Sequence, residues 1–312
     1  MSTSSKATLA CICAVCVLLI GSCGGGSSLI TGSTSTLNLG LTDGSITGVT
    51  KVWIQFTGVE VKPANANPID FTFSPSVGLD LLTLQGGKTA TFLNGKTVPA
   101  GPYEWVRLMV DTTPGASYVV SSTGQHNLTI PSGAETGLKL IQGFMMPVGG
   151  VADFTVDFVL SKSLIAPTGL SPDYLLKPVL RLVDNAQVGT IAGTLGTAAI
   201  SARNCNSTTR IPAVYVYAGA SVTPDDIYNP PSGTTDTDAA TTAEPLTTSA
   251  ATLNSMSDWV YTIAFLPAGT YTVAFTCDPD DPAVDESATS AIVFSTPQPA
   301  IVTAGMTTTV NF

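Results

Sequence analysis

The sequence predicts an all-β protein with two β-sandwich domains, and three observations lead to this fold class. Charged residues make up 11% of the 312-residue chain, whereas Gly and Pro are abundant, with 29 and 21 copies. This composition suits short strands joined by turns better than helices rich in Glu, Lys and Ala. Segments of alternating apolar and polar residues recur without interleaved helical patterns, which argues against a parallel α/β sheet. The length is sufficient for two domains of ordinary size.

Residues 1–22 have the features of a secretory signal peptide. Lys6 gives the segment a positive start, and the apolar run ATLACICAVCVLLI at residues 7–20 has the length of a signal core. The run is shorter than the roughly 20 residues that span a bilayer. It ends in Ile-Gly-Ser-Cys at residues 20–23, which resembles the bacterial lipobox. We therefore expect cleavage before Cys23; an uncleaved membrane anchor is the alternative.

Cys23 is the predicted lipidation site, and its acyl chains are the predicted contact with the membrane. Several acyl chains anchor a protein stably where a single chain binds only marginally. Gly24 follows, whereas an aspartate at this position retains lipoproteins in the inner membrane of enteric bacteria. The sequence therefore favours the outer membrane. Residues 23–35 are rich in Gly, Ser and Thr, which predicts a flexible tether.

The first predicted domain, residues 36–186, begins with the alternating strand TLNLGLTDGS and continues with VTKVWIQFTGVEV at residues 49–61. In this second segment the buried phase changes from even to odd numbers at Gly58, which predicts a β-bulge. A helical turn is predicted only at Ser161–Ile165. The further strands are expected at Asp80–Leu84, Thr89–Leu93, Tyr103–Asp111, Tyr118–Ser121, His126–Ile130, Gly143–Val148, Val151–Leu160 and Pro178–Asp184.

The second predicted domain, residues 187–312, begins with TIAGTL, and residues 230–255 are predicted to form a mobile loop because they are small, polar and aperiodic. One element occurs in both halves: PAGPYEWV begins at Pro99 and PAGTYTVAF at Pro267, which predicts two similar corners. The second-domain strands are expected at Ala213–Ala218, Trp259–Phe265, Thr270–Cys277, Ala291–Ser295 and Thr307–Phe312.

The charge distribution argues against anionic partners. Residues 36–186 contain nine Lys and Arg against eleven Asp and Glu, whereas residues 187–312 contain two Arg against eleven acidic residues. An acidic second half argues against binding to nucleic acid or directly to an anionic membrane surface. Solubility is the simplest role for this charge.

The cysteines predict one disulfide. Cys11, Cys13 and Cys16 lie in the predicted signal peptide and Cys23 is the predicted anchor, so Cys205 and Cys277 remain. Two cysteines in an exported domain are expected to pair. The alternative is two buried free thiols.

One acidic segment is a candidate calcium site. CDPDDPAVDES, at residues 277–287, offers hard oxygen ligands of the kind that Ca²⁺ prefers. The segment lacks the turn glycine of an EF-hand and contains two prolines, so a solvated acidic loop is the alternative. The predicted ligands are Asp278, Asp280, Asp281, Asp285 and Glu286.

Residues suited to catalysis are sparse. The chain has one histidine, His126, and no Gly-x-Ser-x-Gly motif accompanies it. A zinc site would need more His or free Cys residues. Asp153 and Asp157 share a strand face but lie about 13 Å apart, too far to act directly as a glycosidase pair. We therefore expect no enzymatic activity and no required cofactor.

A family resemblance covers residues 36–186. The segments LNLGLTDGS, VWIQFTGVEV, LDLLTLQGG, VPAGPYEWVRLMVD, GLKLIQGF, FTVDFVLSKSL and YLLKPVLRLVD stand in the order of the bacterial domain of unknown function 4382. The resemblance implies an all-β domain of envelope lipoproteins without an assigned activity. Asp43, Asp157, Arg107 and Arg181 lie within these motifs and are candidates for structural ion pairs. Family members often carry a second acid where this chain has Val159, which argues against a metal site formed by these acids.

The second half resembles carboxypeptidase-regulatory and transthyretin-like sandwiches through GTIAGTL, FLPAGTYTVAF and TAGMTTTVNF. The two resemblances together imply immunoglobulin-like or transthyretin-like sandwiches. The sequence therefore predicts a non-catalytic, membrane-anchored envelope lipoprotein with a binding or scaffolding role. A module that binds carbohydrate or calcium is the alternative, and an enzyme of unknown class is a remote third. An envelope protein or a glycan is the expected partner.

Overall fold

The computed structural model describes residues 32–46, 48–131, 137–167, 171–227, 243–278 and 292–312. Within it, Ser33–Phe312 form one compact unit. The predicted signal peptide, most of the tether and Cys23 lie outside the described residues. Four of the five predicted calcium ligands also lie outside them, namely Asp280, Asp281, Asp285 and Glu286.

The first half of the chain folds into two sheets that enclose one core. One sheet has the strand order β13-β10-β1-β4, and the other has the order β11-β12-β7-β6-β2-β5-β8, with β3 added beside β2 and β9 beside β5. The strands are β1 (Thr34–Asp43), β2 (Val49–Pro63), β3 (Ile69–Asp80), β4 (Ala90–Pro99), β5 (Gly101–Val110), β6 (Tyr118–Ser121), β7 (Gly124–Thr129), β8 (Leu138–Leu140), β9 (Phe144–Met146), β10 (Val151–Phe158), β11 (Leu164–Ile165), β12 (Tyr174–Leu176) and β13 (Leu180–Asp184).

The core of this first sandwich follows from the alternation of the strands. Successive side chains of a strand point to opposite faces, so every second residue of β1 and β2 is buried. Leu37, Leu39 and Leu41 of β1 pack in one cluster with Ile54 and Phe56 of β2. Each such side chain contributes about 1.5–3 kcal/mol through burial. The short helix α1 (Leu160–Ser163) follows β10, which agrees with the predicted helical turn.

The predicted bulge at Gly58 is present. The pairing of β2 with both β3 and β5 shifts register between Phe56 and Gly58. A Cβ atom at Gly58 would lie 2.5 Å from both the Met109 Cε atom and the Phe71 carbonyl oxygen. Glycine therefore permits the close approach of three strands, and the shift lets Val59 and Val61 continue to face the core.

The second half forms a second sandwich with its own cores. Its sheets have the strand orders β17-β18-β14-β21 and β16-β15-β19-β20. The elements are β14 (Val188–Leu195), α2 (Thr197–Ala202), β15 (Ala213–Ala218), β16 (Thr247–Ala250), β17 (Thr252–Leu253), β18 (Trp259–Pro267), β19 (Gly269–Thr276), β20 (Gln298–Val302) and β21 (Thr307–Thr309). The predicted fold class of two β-sandwich domains is confirmed.

The repeated Pro-Ala-Gly-x-Tyr element forms the same corner in both sandwiches. The Tyr103 hydroxyl donates a hydrogen bond to the Pro99 carbonyl oxygen at 2.9 Å. The Tyr271 hydroxyl donates to the Pro267 carbonyl oxygen in the same way at 2.7 Å. Each tyrosine therefore closes the turn between two consecutive strands, β4 to β5 and β18 to β19. Burial raises the pKa of both hydroxyls, so they stay protonated as donors.

Two predicted strands are wrong. Asp80 ends the unpredicted edge strand β3, and Leu81–Leu84 form a 3₁₀ turn instead of a strand. The Asp80 carboxylate caps this turn by accepting from the Leu82 N–H, and the turn places Leu81 and Leu84 together in the core. The strand predicted at Ala291–Ser295 is also wrong for its described residues, because Ile292–Ser295 form no strand.

The loop predicted at residues 230–255 is wrong for its last part, which contains β16 and β17, and residues 230–242 of it lie outside the described residues. Thr247, Thr248 and Ser249 are at most 5% exposed. Small polar residues are buried here because β16 pairs with β15 and the hydroxyls make hydrogen bonds of their own. Helix α2 and strand β20 were not predicted either, and the final predicted strand is limited to Thr307–Thr309.

Candidate functional site between the two sandwiches

The two sandwiches meet along a hydrogen-bonded seam between the end of β1 and strand β16. The Ser45 N–H donates to the Thr248 carbonyl oxygen at 3.1 Å, and the Thr248 hydroxyl donates to the Ser45 carbonyl oxygen at 3.0 Å. The two hydroxyl oxygens are also 2.9 Å apart. An ion pair of 2.8 Å between Lys162 and Glu244 joins the same two halves. The seam therefore fixes β1 against β16.

Two carboxylates and one guanidinium lie buried beside this seam. Parallel pairing places Thr42 of β1 next to Asp157 of β10, and antiparallel pairing places Arg181 of β13 on the other side of Asp157. Arg181 donates two hydrogen bonds to Oδ2 of Asp157, one of them from Nε at 3.0 Å. The Oδ1 atom of Asp157 takes no part in this ion pair. Of the four residues proposed to pair, Arg181 and Asp157 therefore form one pair, and Arg107 binds Glu60 instead at 2.7 Å.

Asp43, the second buried carboxylate, differs from Asp157 in its hydrogen bonding. The residue is 5% exposed, and neither carboxylate oxygen accepts a hydrogen bond of good geometry. Burial raises the pKa of Asp43 well above its ordinary value, and repulsion from Asp157 raises it further. The Leu160 N–H, the Gln85 side chain and the Gly44 N–H lie near enough to lower this pKa in part. Burial also raises the pKa of Asp157, against the opposing effect of Arg181.

A cavity of about 20 Å³ lies at this junction, large enough for one water-sized group. We call it the junction pocket. Gly87 has a φ of +81°, and a Cβ atom there would lie 3.1 Å from the Ala264 Cβ atom, so glycine lets the two sandwiches approach each other at this point. The lining residues are Thr42, Asp43, Gly86, Gly87 and Asp157 from the first sandwich and Thr247, Thr248, Ser249, Thr262, Ile263, Ala264 and Phe265 from the second.

Three hydroxyl groups of the junction pocket use their protons outside it. Thr42 donates to the carbonyl oxygens of Lys88 at 2.8 Å and Leu84 at 3.2 Å. Thr248 donates to the Ser45 carbonyl oxygen, and Ser249 donates to the Thr262 carbonyl oxygen at 3.0 Å. Since a hydroxyl carries one proton, these oxygens retain only acceptor capacity. These three hydroxyls and the two carboxylates therefore supply the pocket with acceptors.

The predicted disulfide is confirmed. Cys205 and Cys277 are bonded across 72 residues, with Cα atoms 5.3 Å apart. The bond joins the turn after α2 to the residue that follows β19. Asp278, the described member of the predicted calcium set, forms an ion pair of 2.5 Å with Arg210. Calcium binding by the acidic segment stays a prediction, because its other four ligands lie outside the described residues.

His126 has a structural position. One ring nitrogen lies 2.8 Å from the Thr123 hydroxyl, and the other lies 2.9 Å from the Pro172 carbonyl oxygen. The imidazole also lies against the ring of Tyr174. The ring therefore holds β7 beside the segment that leads into β12. Within the described ranges, no three His, Cys, Asp or Glu residues are grouped as metal ligands.

Sequence reasoning singled out Asp43, Asp157 and Arg181 but could not place them at one site. It missed Thr247, Thr248 and Ser249, since their composition indicated a loop. The available signal was the threonine-rich run TTSAATL, which also fits a strand with a high content of β-branched residues. Among the residues that the structure covers, no helix has the length and apolarity to cross a bilayer.

Comparison with protein families confirms the resemblance of the first half. Residues 34–178 match the family described as Domain of unknown function (DUF4382). The match lies within the first sandwich and covers slightly less than half of the chain. A search of curated proteins gives no match.

Solved structures show only distant similarity. A leucine-rich repeat protein from Bacteroides thetaiotaomicron is 14% identical with a TM-score of 0.23; the match covers 90% of this chain and 26% of that protein. The chain thus spans about a quarter of that protein's length. The minor pilin GBS52 of Streptococcus agalactiae is 9% identical with a TM-score of 0.19; the match covers 88% of this chain and 94% of the pilin. Similarity at this level carries no information about what the chain binds.

Proposed function

We propose that this protein is a non-catalytic lipoprotein of the bacterial cell envelope, anchored through acyl chains on Cys23. Its two sandwiches act as one rigid body that binds or scaffolds other envelope components. The outer membrane is the proposed location. The observation that carries the proposal is the Cys205–Cys277 disulfide, because such bonds persist in oxidising compartments outside the cytoplasm.

The engagement of the reactive side chains supports a non-catalytic role. His126 uses both ring nitrogens in structural contacts, and Cys205 and Cys277 are bonded to each other. Asp157 is paired with Arg181, and Asp278 with Arg210. A general acid or base needs a proton-transfer group within reach of a substrate. These groups are held by the fold instead.

The fixed seam supports a scaffolding role. Ser45 and Thr248 exchange hydrogen bonds of 2.9–3.1 Å at positions that are at most 5% exposed. Opening the two sandwiches would expose these groups and the buried carboxylates of the junction pocket. A rigid two-domain body presents its surface loops in a constant arrangement, which lowers the ordering cost of binding a partner.

The anchor is tested by the Cys23→Ser variant, expressed in the native host and labelled with palmitate. The wild-type protein is expected to carry label and to fractionate with membranes. The variant is expected to lose the label and to accumulate as an uncleaved precursor, because the thiol that receives the lipid is absent. Cys16→Ser, a cysteine within the predicted signal peptide, is the matched control and should label normally. Persistent labelling of Cys23→Ser would refute the anchor.

Glycan binding is a second candidate, and an aromatic pair favours it. The rings of Trp53 and Tyr118 are stacked at 6.1 Å with an interplanar angle of 16° on neighbouring strands β2 and β6. Both side chains are partly exposed. Aromatic side chains with a few polar groups are the common lining of small-ligand sites. A glycan array separates the candidates, since saturable binding to a defined sugar would favour this one.

A further inference from the structure

The junction pocket contains more buried acidic groups than cationic partners. Asp43 and Asp157 are 5% and 3% exposed, and the Arg181 side chain beside them is 17% exposed. With both carboxyl groups ionised, two carboxylates and one guanidinium would leave a net charge of −1 in the protein interior. Burying an unpaired carboxylate is costly, and proteins normally compensate it with a partner, a proton or a metal ion.

We propose that the junction pocket binds one small, hard metal cation of the Na⁺ or Ca²⁺ class, with Asp43 as its principal ligand. Asp43 is the buried carboxylate without a hydrogen-bond partner of good geometry, and it lines the cavity. Oδ1 of Asp157 is the second carboxylate ligand, because the ion pair with Arg181 uses Oδ2. The cavity of about 20 Å³ has room for a single ion.

The lining favours a cation over an anion. The hydroxyls of Thr42, Thr248 and Ser249 donate to backbone carbonyl oxygens, so their oxygens present acceptors to the pocket. Carboxylate and hydroxyl oxygens are ligands for hard cations, whereas soft metals select thiolates and imidazoles. The pocket therefore matches alkali and alkaline-earth ions in ligand chemistry.

The ion would join the two sandwiches. Asp43 and Asp157 belong to the first sandwich, whereas Thr248 and Ser249 belong to the second. A bound cation would therefore stabilise the seam as well as neutralise the buried charge. The fold supplies the two carboxylates from neighbouring strands, since Asp43 lies at the end of β1 and Asp157 in β10.

The test is the thermal unfolding midpoint of the purified protein at equal ionic strength in NaCl, CaCl₂ and tetramethylammonium chloride. Tetramethylammonium is too large for the pocket and serves as the reference salt. In Na⁺ or Ca²⁺ the midpoint should rise with concentration, and above the dissociation constant each tenfold increase should raise the folding equilibrium constant about tenfold. This dependence should disappear in Asp43→Asn and persist in Asp153→Asn, an exposed position in the same strand as Asp157.

Three results would overturn the proposal. The first is an equal midpoint in all three salts, which needs only the wild-type protein and so stands even where Asp43→Asn does not fold. The second is an Asp43→Asn midpoint raised equally in every salt, which would show that Asp43 carries a proton instead. The third is calcium binding that survives Asp43→Asn and is lost in an Asp280→Asn and Asp281→Asn double variant, which would assign the ion to the acidic segment.

Discussion

Removing the Cys205–Cys277 disulfide should weaken the second sandwich far more than the first. The bond closes a loop of 72 residues in sequence separation. Loop closure of this length lowers the entropy of the unfolded chain by about 15 cal/mol/K, which corresponds to about 4 kcal/mol at 25 °C. A single domain has a total stability of about 5–15 kcal/mol, so the loss is a large part of what holds the second sandwich folded.

The assay is urea unfolding of the Cys205→Ala and Cys277→Ala double variant, followed by tryptophan fluorescence. Trp259 lies in the second sandwich, whereas Trp53 and Trp105 lie in the first. A Trp259→Phe background therefore reports the first sandwich alone. The free energy of unfolding of such a domain falls by about 2 kcal/mol per molar urea. A loss of about 4 kcal/mol should therefore lower the urea midpoint of the second sandwich by about 2 M.

Reduction of the wild-type protein is the matched control, because it cuts the cross-link and keeps both sulfur atoms. Cys277 is 2% exposed, so the alanine variant also loses packing contacts and should be slightly less stable than the reduced protein. A loss below about 1 kcal/mol in both would refute the reasoning. It would mean that the unfolded chain is already restricted, or that the two thiols are free.

Two further predictions concern the corners and the seam. Tyr103→Phe and Tyr271→Phe should each reduce the free energy of unfolding by about 1 kcal/mol, because each removes one hydrogen bond to a proline carbonyl; unequal losses, with one near zero in urea unfolding, would contradict equivalent corners. Thr248→Val should cost about 1–3 kcal/mol, because it leaves Ser45 without its hydroxyl partner in a buried seam. It should also separate the unfolding of the two sandwiches in calorimetry, and a single unchanged transition would contradict this.

The sequence predicted the features that depend on local pattern. The alternation in β1 and β2, the bulge at Gly58 and the shared Pro-Ala-Gly-Tyr corner each follow from a few neighbouring residues and their backbone preferences. The disulfide followed from counting, since two cysteines remained after the predicted signal and anchor. The errors arose where the local pattern does not reveal the environment. Leu81 and Leu84 do not follow the alternation of a strand, and a 3₁₀ turn buries both of them.

The junction pocket depends on contacts that no local pattern encodes. Ser45 and Thr248 are 203 residues apart, and their pairing requires both sandwiches to be formed and apposed. A run of Thr and Ser near residue 248 is typical of an exposed loop, yet here its hydroxyls satisfy buried carbonyl oxygens. The same contacts consume the hydroxyl protons of Thr248 and Ser249, which line the pocket together with Asp43. The acceptor-rich character of the pocket is thus a consequence of the seam itself, so a change that opens the seam should also abolish cation binding.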